Sequence, residues 1–435
     1  MRCIALVDLD CFYAQVEAKR RHIDSSKVPV AVQQWTAVIA VNYKAKREFG
    51  VSRSDTVADV QRKCPQIRLC HVDVVDGDGN VLDNPEPSQR YSTKVTLARY
   101  RDESHKIGLI FRRFSPLVER ASIDESYLDL SDAAAFLLAL HEDPNKPTPS
   151  NLRKREAALR QVRLKFLPDG SPAFSGSVCV RPEEQHPSAR TRHTDLMAVA
   201  SQLVEHIRAT VCAELGYTCS AGVAHCRKIA KAVASWEKPN GQTVVPPGSV
   251  QSVMDDMHIT DVQGFGGKWG ATVCAELGLQ KFGQVRQKFA SLDALTESMQ
   301  NRRLRGATFL WQMAHGIDEE PVKCVDSTRR FCSTTNLRRG GVSDMSELAK
   351  VMRPLCAELV LRLDTDRKRY KRIPQQLILM GNTSTQRHTK TCALPHSLLN
   401  SRASLTKRID QVHRLAMKEF SKQPGAFRSV GVGLA

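Results

Sequence analysis

Asp8, Asp124 and Glu125 are the residues of this chain best suited to chemistry. Asp8 closes the apolar run Ile4-Ala5-Leu6-Val7, which passes through Leu9-Asp10-Cys11-Phe12-Tyr13 into a helix-like stretch, Ala14-Gln15-Val16-Glu17-Ala18. Asp124 and Glu125 lie in Ala121-Ser122-Ile123-Asp124-Glu125-Ser126-Tyr127-Leu128-Asp129-Leu130, where apolar and polar residues alternate as in strands meeting at a turn. If the two strands are neighbours, the three acids converge. Like charges at close range raise one another's pKa and favour protonation over ionisation, a conflict that a divalent cation removes. An all-oxygen ligand set points to a hard ion such as magnesium, which binds few protein carboxylates and keeps positions open for substrate phosphates. That is the chemistry of two-metal phosphoryl transfer. Either motif alone is explained as well by a capped strand or a surface ion pair. Together they favour chemistry.

At 435 residues the chain has room for roughly two to four domains. Its 64 lysines and arginines against 46 acids leave a net charge of +18. Such an excess suggests a polyanionic partner, with nucleic acid ahead of a membrane because no amphipathic or lipidated segment stands out. The thirteen cysteines form no C-x-x-C pair and keep no regular spacing, so they read as reduced, mostly buried small apolar residues of an intracellular protein. The first strand begins almost at Met1, which leaves no room for a signal peptide, and no apolar run reaches membrane-spanning length. Asn382-Thr383-Ser384 is formally a glycosylation sequon and in such a compartment is idle.

Several elements must position the acids. Val28–Gln33 and Thr36–Tyr43 are β-rich and suit a hairpin, and a helix is predicted over about Ser54–Cys64, stopped by Pro65, so residues 12–80 form a small basic insert. Asp76-Gly77-Asp78-Gly79-Asn80 has the wrong carboxylate spacing for a calcium loop and reads as a turn. A helical stretch from Gln89 to Phe114, with Tyr91, Val95, Ala98, Ile107, Ile110, Phe111 and Phe114 on its inner face, leads into the second acidic motif. Residues 141–195 read as a variable insertion with one strand at Phe174–Val180. Helical spacing returns from Leu196 to Leu215 and ends at Gly216. A strand (Tyr217–Ala224), a helix (Lys228–Trp236), a turn at Pro239-Asn240-Gly241 and a strand (Gln242–Val245) follow. The pattern is that of an α+β sandwich built around a split βαβ unit.

Gly264-x-Gly266-x-x-x-Gly270 lacks the preceding strand and the distant acid of a dinucleotide fingerprint. A tight turn between short helices fits better, with backbone N–H groups open to a phosphate and Lys268 adding charge. Residues 247–322 then form a small helical domain gripping a nucleic-acid backbone, and a plain helix packing joint is the alternative. Residues 330–435 carry 20 basic and 7 acidic residues, hence +13 of the total. They read as strand (Arg330–Leu337), helix (Ser346–Leu363), strands (Gln375–Thr383, Arg387–Leu394), helix (Ser401–Phe420) and strand (Phe427–Leu434), a second α+β sheet. The run Arg367–Arg372 fits a solvated loop or a nuclear signal, but phosphate binding accounts for it without further assumptions.

With these residues in view, Val7-Asp8-Leu9-Asp10-Cys11-Phe12-Tyr13-Ala14-Gln15-Val16-Glu17 resembles the opening motif of the Y-family, translesion DNA polymerases. Glu119-Arg120-Ala121-Ser122-Ile123-Asp124-Glu125-Ser126-Tyr127 resembles the eta branch. Ser220-Ala221-Gly222-Val223-Ala224-His225, Lys228, Lys231 and Lys238-Pro239-Asn240-Gly241-Gln242 are similar to further family motifs. The resemblance covers nearly the whole chain and is weak in 141–195 and beyond 330. It implies an α+β right-hand polymerase: a ferredoxin-like palm (1–11 and 81–246), fingers (12–80), a helical thumb (247–322), a linker (323–329) and a C-terminal α+β little finger (330–435). The implied activity is low-fidelity, DNA-templated DNA synthesis past damaged template bases such as UV photoproducts.

Carried over by position, Asp8, Asp124 and Glu125, with the Leu9 carbonyl, would hold two magnesium ions, for which manganese can substitute. The N–H groups of Cys11 and Phe12 would touch the incoming triphosphate, and Tyr13 would lie under its sugar as a steric gate. Tyr43, Lys238 and either Lys46 or Arg47 would neutralise the triphosphate. The family reads Tyr-x-Ala-Arg-x-Phe-Gly where this chain has one residue more, Tyr43-Lys44-Ala45-Lys46-Arg47-Glu48-Phe49-Gly50, and bidentate geometry favours Arg47. Gln34 and Arg53 match positions that hold the template and incoming bases. Ser122 would lie near the primer end, and Lys228, Lys231, Gly264, Gly266 and Lys268 would contact the primer-template duplex. The implied partners are primer-template DNA and a deoxynucleoside triphosphate, with a sliding clamp and ubiquitin engaged through regions absent from this chain. The implied setting is a nuclear monomer with no membrane. The alternatives are a kappa- or polymerase IV-like enzyme, a DNA-binding scaffold without catalysis, or a nucleotidyl cyclase. Glu119-Arg120-Ala121-Ser122, the intact acids and the basic terminal domain oppose these in turn.

Overall fold

Strand β1 (Ile4–Leu9) is buried at every position but Asp8, as its apolar sequence requires of a strand covered on both faces. It lies inside a six-stranded sheet with β2 (Leu117–Arg120), β3 (Glu125–Asp129), β4 (Ser177–Val178), β5 (Cys219–Ala224) and β6 (Gln242–Val244), in the order β4-β6-β5-β1-β3-β2. β1 runs antiparallel to both β5 and β3, while β5 and β6 are parallel and are joined through the helix Arg227–Val233. The helix Arg192–Leu215 is capped by Thr191, whose side chain accepts from the Thr194 N–H, and packs on β5 and on the helix Ser131–Glu142.

The computed structural model describes residues 2–179, 191–325, 330–337, 341–383, 385–395, 398, 403–423 and 425–435. Val180 of the predicted strand Phe174–Val180, residues 181–190 of the predicted insertion, 326–329 of the predicted linker, Ser384 of the sequon and Ser401 of the last predicted helix lie outside them. The architecture is mixed α+β and divides into two compact units, Met1–Phe12 with Glu103–Asp326 and Tyr13–Asp102 with Ser327–Ala435. No described helix is long and apolar enough to cross a membrane.

In the first unit, Ile4, Leu6 and Tyr127 of the sheet join Ile229, Ala230 and Val233 in one apolar core with the helices between Val250 and Ala314. In the second, Val30–Gln34 pairs with Ala37–Val41 and Arg68–His71, and a four-stranded sheet (Phe331–Asn336, Ser429–Leu434, Gln376–Asn382, Arg387–Ala393) packs under the helices Met345–Tyr370 and Leu405–Phe420.

Three expectations change. The predicted strand over Thr36–Tyr43 ends at Val41, because the Asn42 side chain accepts from the Ala45 N–H and starts a helix, Tyr43–Phe49, closed by Gly50. The predicted helix from Gln89 begins only at Ala98. Before it, Pro87 opens a single 3-10 turn, and Lys94–Val95 pairs as a strand with Val74–Val75, so Tyr91 is exposed and not on an inner face. Thirdly, Arg367, Lys368 and Arg369 are not in a loop. They continue the helix Met345–Tyr370, where Arg369 pairs with Asp102, and Arg372 just beyond it pairs with Asp366.

Gly222 of β5 sits beneath the helix Arg227–Val233 so closely that a Cβ there would lie 2.0 Å from the Ala230 carbonyl oxygen. The two nearest atoms, the Ala230 carbonyl oxygen and the Ala234 amide nitrogen, are backbone of that helix and its cap and cannot swing aside. Gly222→Ala is expected to destabilise the first unit by about 3 kcal/mol. The measurement is thermal or denaturant unfolding, and an unchanged midpoint would mean that the helix is free to lift.

Candidate active site

The register of β1 on β3 sets Asp8 directly opposite Glu125 and Leu6 opposite Tyr127. Asp124 is the last residue of the turn before β3, and its carbonyl accepts the Leu9 N–H at 3.0 Å. Ser122 closes that turn. Its hydroxyl oxygen accepts the N–H groups of Asp124 (3.1 Å) and Glu125 (3.0 Å), and its O–H donates to the Asp124 carboxylate. Asp8, Leu9, Ser122, Asp124 and Glu125 are thereby brought to one end of two adjacent strands.

Two ammonium groups meet these acids. Lys238 Nζ lies 2.6 Å from Asp8 Oδ2, and Lys231 Nζ lies 2.5 Å from Glu125 Oε2. Lys231 comes from the helix Arg227–Val233, and Lys238 from the turn before β6. Burial raises the Asp8 pKa above the usual carboxylate range; Lys238 opposes the shift, while Glu125 and Asp124 add to it. Among the described residues, no three His, Cys, Asp or Glu side chains are grouped closely enough to enclose a metal ion. The fit to a hard cation therefore rests on the donor set: three carboxylates and a peptide carbonyl, all oxygen, on neighbouring strand ends, with one acid disfavoured as an anion by its surroundings.

Other residues of the first unit are used differently. Lys228 pairs with Glu320 at 3.3 Å, and its N–H donates to Asp318, so it is engaged away from the acids. Phe12 is buried edge-on against Tyr217, and Cys11, at φ 44, carries the chain out of β1. Gly264 and Gly266 form the turn between the 3-10 segment Ile259–Asp261 and the helix Gly267–Leu277, with Lys268 exposed on the first turn of that helix.

In the second unit, Tyr13 is half-buried, with its ring 4.2 Å from that of buried Tyr100. The Tyr100 O–H donates to Glu17 at 2.9 Å, and Glu17 in turn holds Arg20 and Arg21. Burial, reinforced by Glu17, pushes the Tyr100 phenol far up, so it remains a donor. Gln34 ends its strand, and Arg53 is exposed. On the helix Tyr43–Phe49, both Lys46 (5.0 Å) and Arg47 (5.5 Å) lie over the Tyr43 ring, so the three are together and the choice between the two cations stays open.

Sequence reasoning passed over Asp10, which is 2% exposed yet accepts from the Ser220 hydroxyl and the Asn240 N–H, both at 2.8 Å. Its one signal was the Asp-Leu-Asp spacing, which repeats the acid after the strand has ended.

Residues 7–235, more than half of the chain, match the impB/mucB/samB family. The chain belongs to this family, the Y-family polymerases. It is 32% identical over 393 residues to DNA polymerase eta of Arabidopsis thaliana, covering 87% of this chain and 52% of that protein. Against DNA polymerase eta of Drosophila melanogaster it is 30% identical over 84% of this chain and 40% of that protein. With N-acetyltransferase eso1 of Schizosaccharomyces pombe it shares 29% over 98% of this chain and 47% of that protein. The chain thus spans about half the length of these relatives.

For this Y-family chain the electrostatics make a direct forecast. Magnesium at a hundred times its Kd is expected to stabilise the first unit by about 2.7 kcal/mol. In Asp8→Asn most of that gain disappears. Thermal unfolding with and without the ion measures both, and a midpoint indifferent to magnesium in the wild-type chain rules the cation out of this site.

Proposed function

We propose that the chain is a DNA-templated DNA polymerase of low fidelity that copies past damaged template bases, eta-like and acting on UV photoproducts. The observation that carries the proposal is the pairing of Asp8 with Glu125 across β1 and β3, with Asp124 tied to the Leu9 N–H, in a Y-family chain. Asp8, Asp124 and Glu125, with the Leu9 carbonyl, are the residues that would hold two magnesium ions, or manganese in their place. Such ions, when bound, neutralise the triphosphate and favour attack by a primer hydroxyl.

The chain's own contribution is positioning and charge. Lys238, now on Asp8, is the phosphate ligand of the first unit, with the N–H groups of Cys11 and Phe12. Tyr43, with Lys46 or Arg47, is assigned the same task, and Arg53 and Gln34 are assigned to the incoming and template bases. Tyr13, braced by Tyr100 and through it by Glu17, is the steric gate: a ring held beneath a deoxyribose leaves no space for a further oxygen. Ser122 is assigned to the primer end, and Lys228, Lys231, Gly264, Gly266 and Lys268 to the duplex. The palm is residues 1–11 and 81–246, the fingers 12–80, the thumb 247–322, the linker 323–329 and the little finger 330–435. Primer-template DNA and a deoxynucleoside triphosphate are the substrates, in a nuclear setting.

Two experiments test this. Asp124→Ala combined with Glu125→Ala is expected to lower primer extension at least about a thousandfold while leaving duplex binding within about twofold. Undiminished extension by the double variant would remove the acids from the chemistry. Tyr13→Ala is expected to improve ribonucleotide insertion relative to deoxyribonucleotide by about a hundredfold. Unchanged sugar discrimination would take Tyr13 out of the gate.

A further inference from the structure

The turn that delivers Lys238 is tied to the rest of the first unit through side chains outside it. It runs from Glu237 to Gly241, with Asn240 in the left-handed region at φ 52 and Gly241 packed so tightly that a Cβ would lie 1.8 Å from the Glu237 carbonyl oxygen. Two side chains from distant parts of the first unit converge on Asn240. Asp10 Oδ2 accepts the Asn240 N–H at 2.8 Å, and Arg208 donates to the Asn240 side-chain oxygen at 2.9 Å while its Nε donates to the Cys219 carbonyl at 2.8 Å. Asp10 is also joined to β5, since its Oδ1 accepts from the Ser220 hydroxyl at 2.8 Å, and that hydroxyl oxygen accepts the Gly241 N–H at 3.4 Å.

We propose that Asp10 is a positioning residue for nucleotide binding, holding Asn240 so that the Lys238 ammonium is aimed at the triphosphate. The inference rests on the reading of Lys238 as a phosphate ligand. A buried carboxylate is costly unless hydrogen bonds compensate it, and here its donors include a backbone N–H on the lysine turn and a hydroxyl on the adjoining strand. Carboxylate acceptors make the stronger, shorter class of hydrogen bond, so the turn is held more firmly than an amide could hold it. Asn240 is two residues from Lys238, and a shift of about 1 Å in a charged group is enough to cost a large factor in binding or rate. Asp10→Asn would keep the shape but present an N–H₂ to one of these donors.

The test is a double-variant cycle on the dependence of primer extension on nucleotide concentration. Asp10→Asn is expected to raise KM for the deoxynucleoside triphosphate about tenfold with kcat changed less than about twofold, and to raise it less than about twofold in the Lys238→Met background. Equal effects in both backgrounds, or a loss confined to kcat, would overturn the assignment and move Asp10 to the acid cluster or to general stability. Arg208→Met loosens the same turn from its other side and carries the test if Asp10→Asn does not fold. Nucleotide binding without turnover, followed by the fluorescence of half-exposed Trp236, separates the two readings. Binding that depends on Asp10 only while Lys238 is present, in a chain that extends no primer, sinks the polymerase reading and leaves the positioning one. Extension with nucleotide affinity indifferent to Asp10→Asn does the reverse.

Discussion

One strand register governs the arrangement of this site. Asp8 faces Glu125 because Leu6 faces Tyr127, and a strand repeats every two residues, so a slip by one position would move Leu6 to the opposite face, part it from Tyr127 and part the acids together. Like charges directly opposite on a sheet are destabilising, by up to about 1 kcal/mol. Burying Ile4, Leu6 and Tyr127, each at 1% exposure or less, outweighs that by several-fold. The acids are therefore held together by hydrophobic burial a few residues away, and not by any attraction of their own.

Their mutual repulsion is met from two directions. Lys231 arrives on a helix that approaches β5 as closely as backbone permits, and the absence of a side chain at Gly222 makes that approach possible. Lys238 arrives on a turn with no regular structure, braced from outside by Asp10 and Arg208. Both lysines are flexible on their stems, and each ammonium is a compact charge that a divalent cation or a phosphate can displace or attract. Rigid carboxylates with mobile counter-charges suit a site whose charge must change when substrate arrives.

Much of this was legible in the sequence, and the limits have physical causes. The alternation around Asp124 and the apolar run before Asp8 made two strands readable, because strand patterning is a local property; that they are neighbours is a long-range pairing the sequence left open. The end of the strand at Val41 was not readable, since Asn42 as a helix cap competes with a β-rich run and a single side-chain hydrogen bond decides. Nor were the partners of Asp10 or Glu17: Asn240 lies 230 residues from Asp10, and Tyr100 lies 83 from Glu17. A buried carboxylate in sequence looks like any exposed one until its donors are known. Motif resemblance singled out Lys228 and Lys231 but not the carboxylates they pair with, Glu320 and Glu125.

The net charge of +13 in residues 330–435 overstates what that segment can offer to a polyanion. Arg353 pairs with Asp410 and Asp78, Arg369 with Asp102, Arg372 with Asp366, Arg408 with Asp364, and Arg362 with Glu358, most of them partly buried. A guanidinium spent on a fixed carboxylate has little left for a phosphate, and freeing it would expose an uncompensated acid. The positive field must come from groups such as Arg387 and Lys390, exposed on the edge strand Arg387–Ala393. Charges there also discourage edge-to-edge pairing of sheets. Under the proposed function, the number of counter-ions released on binding DNA should follow such exposed cations and not the total charge.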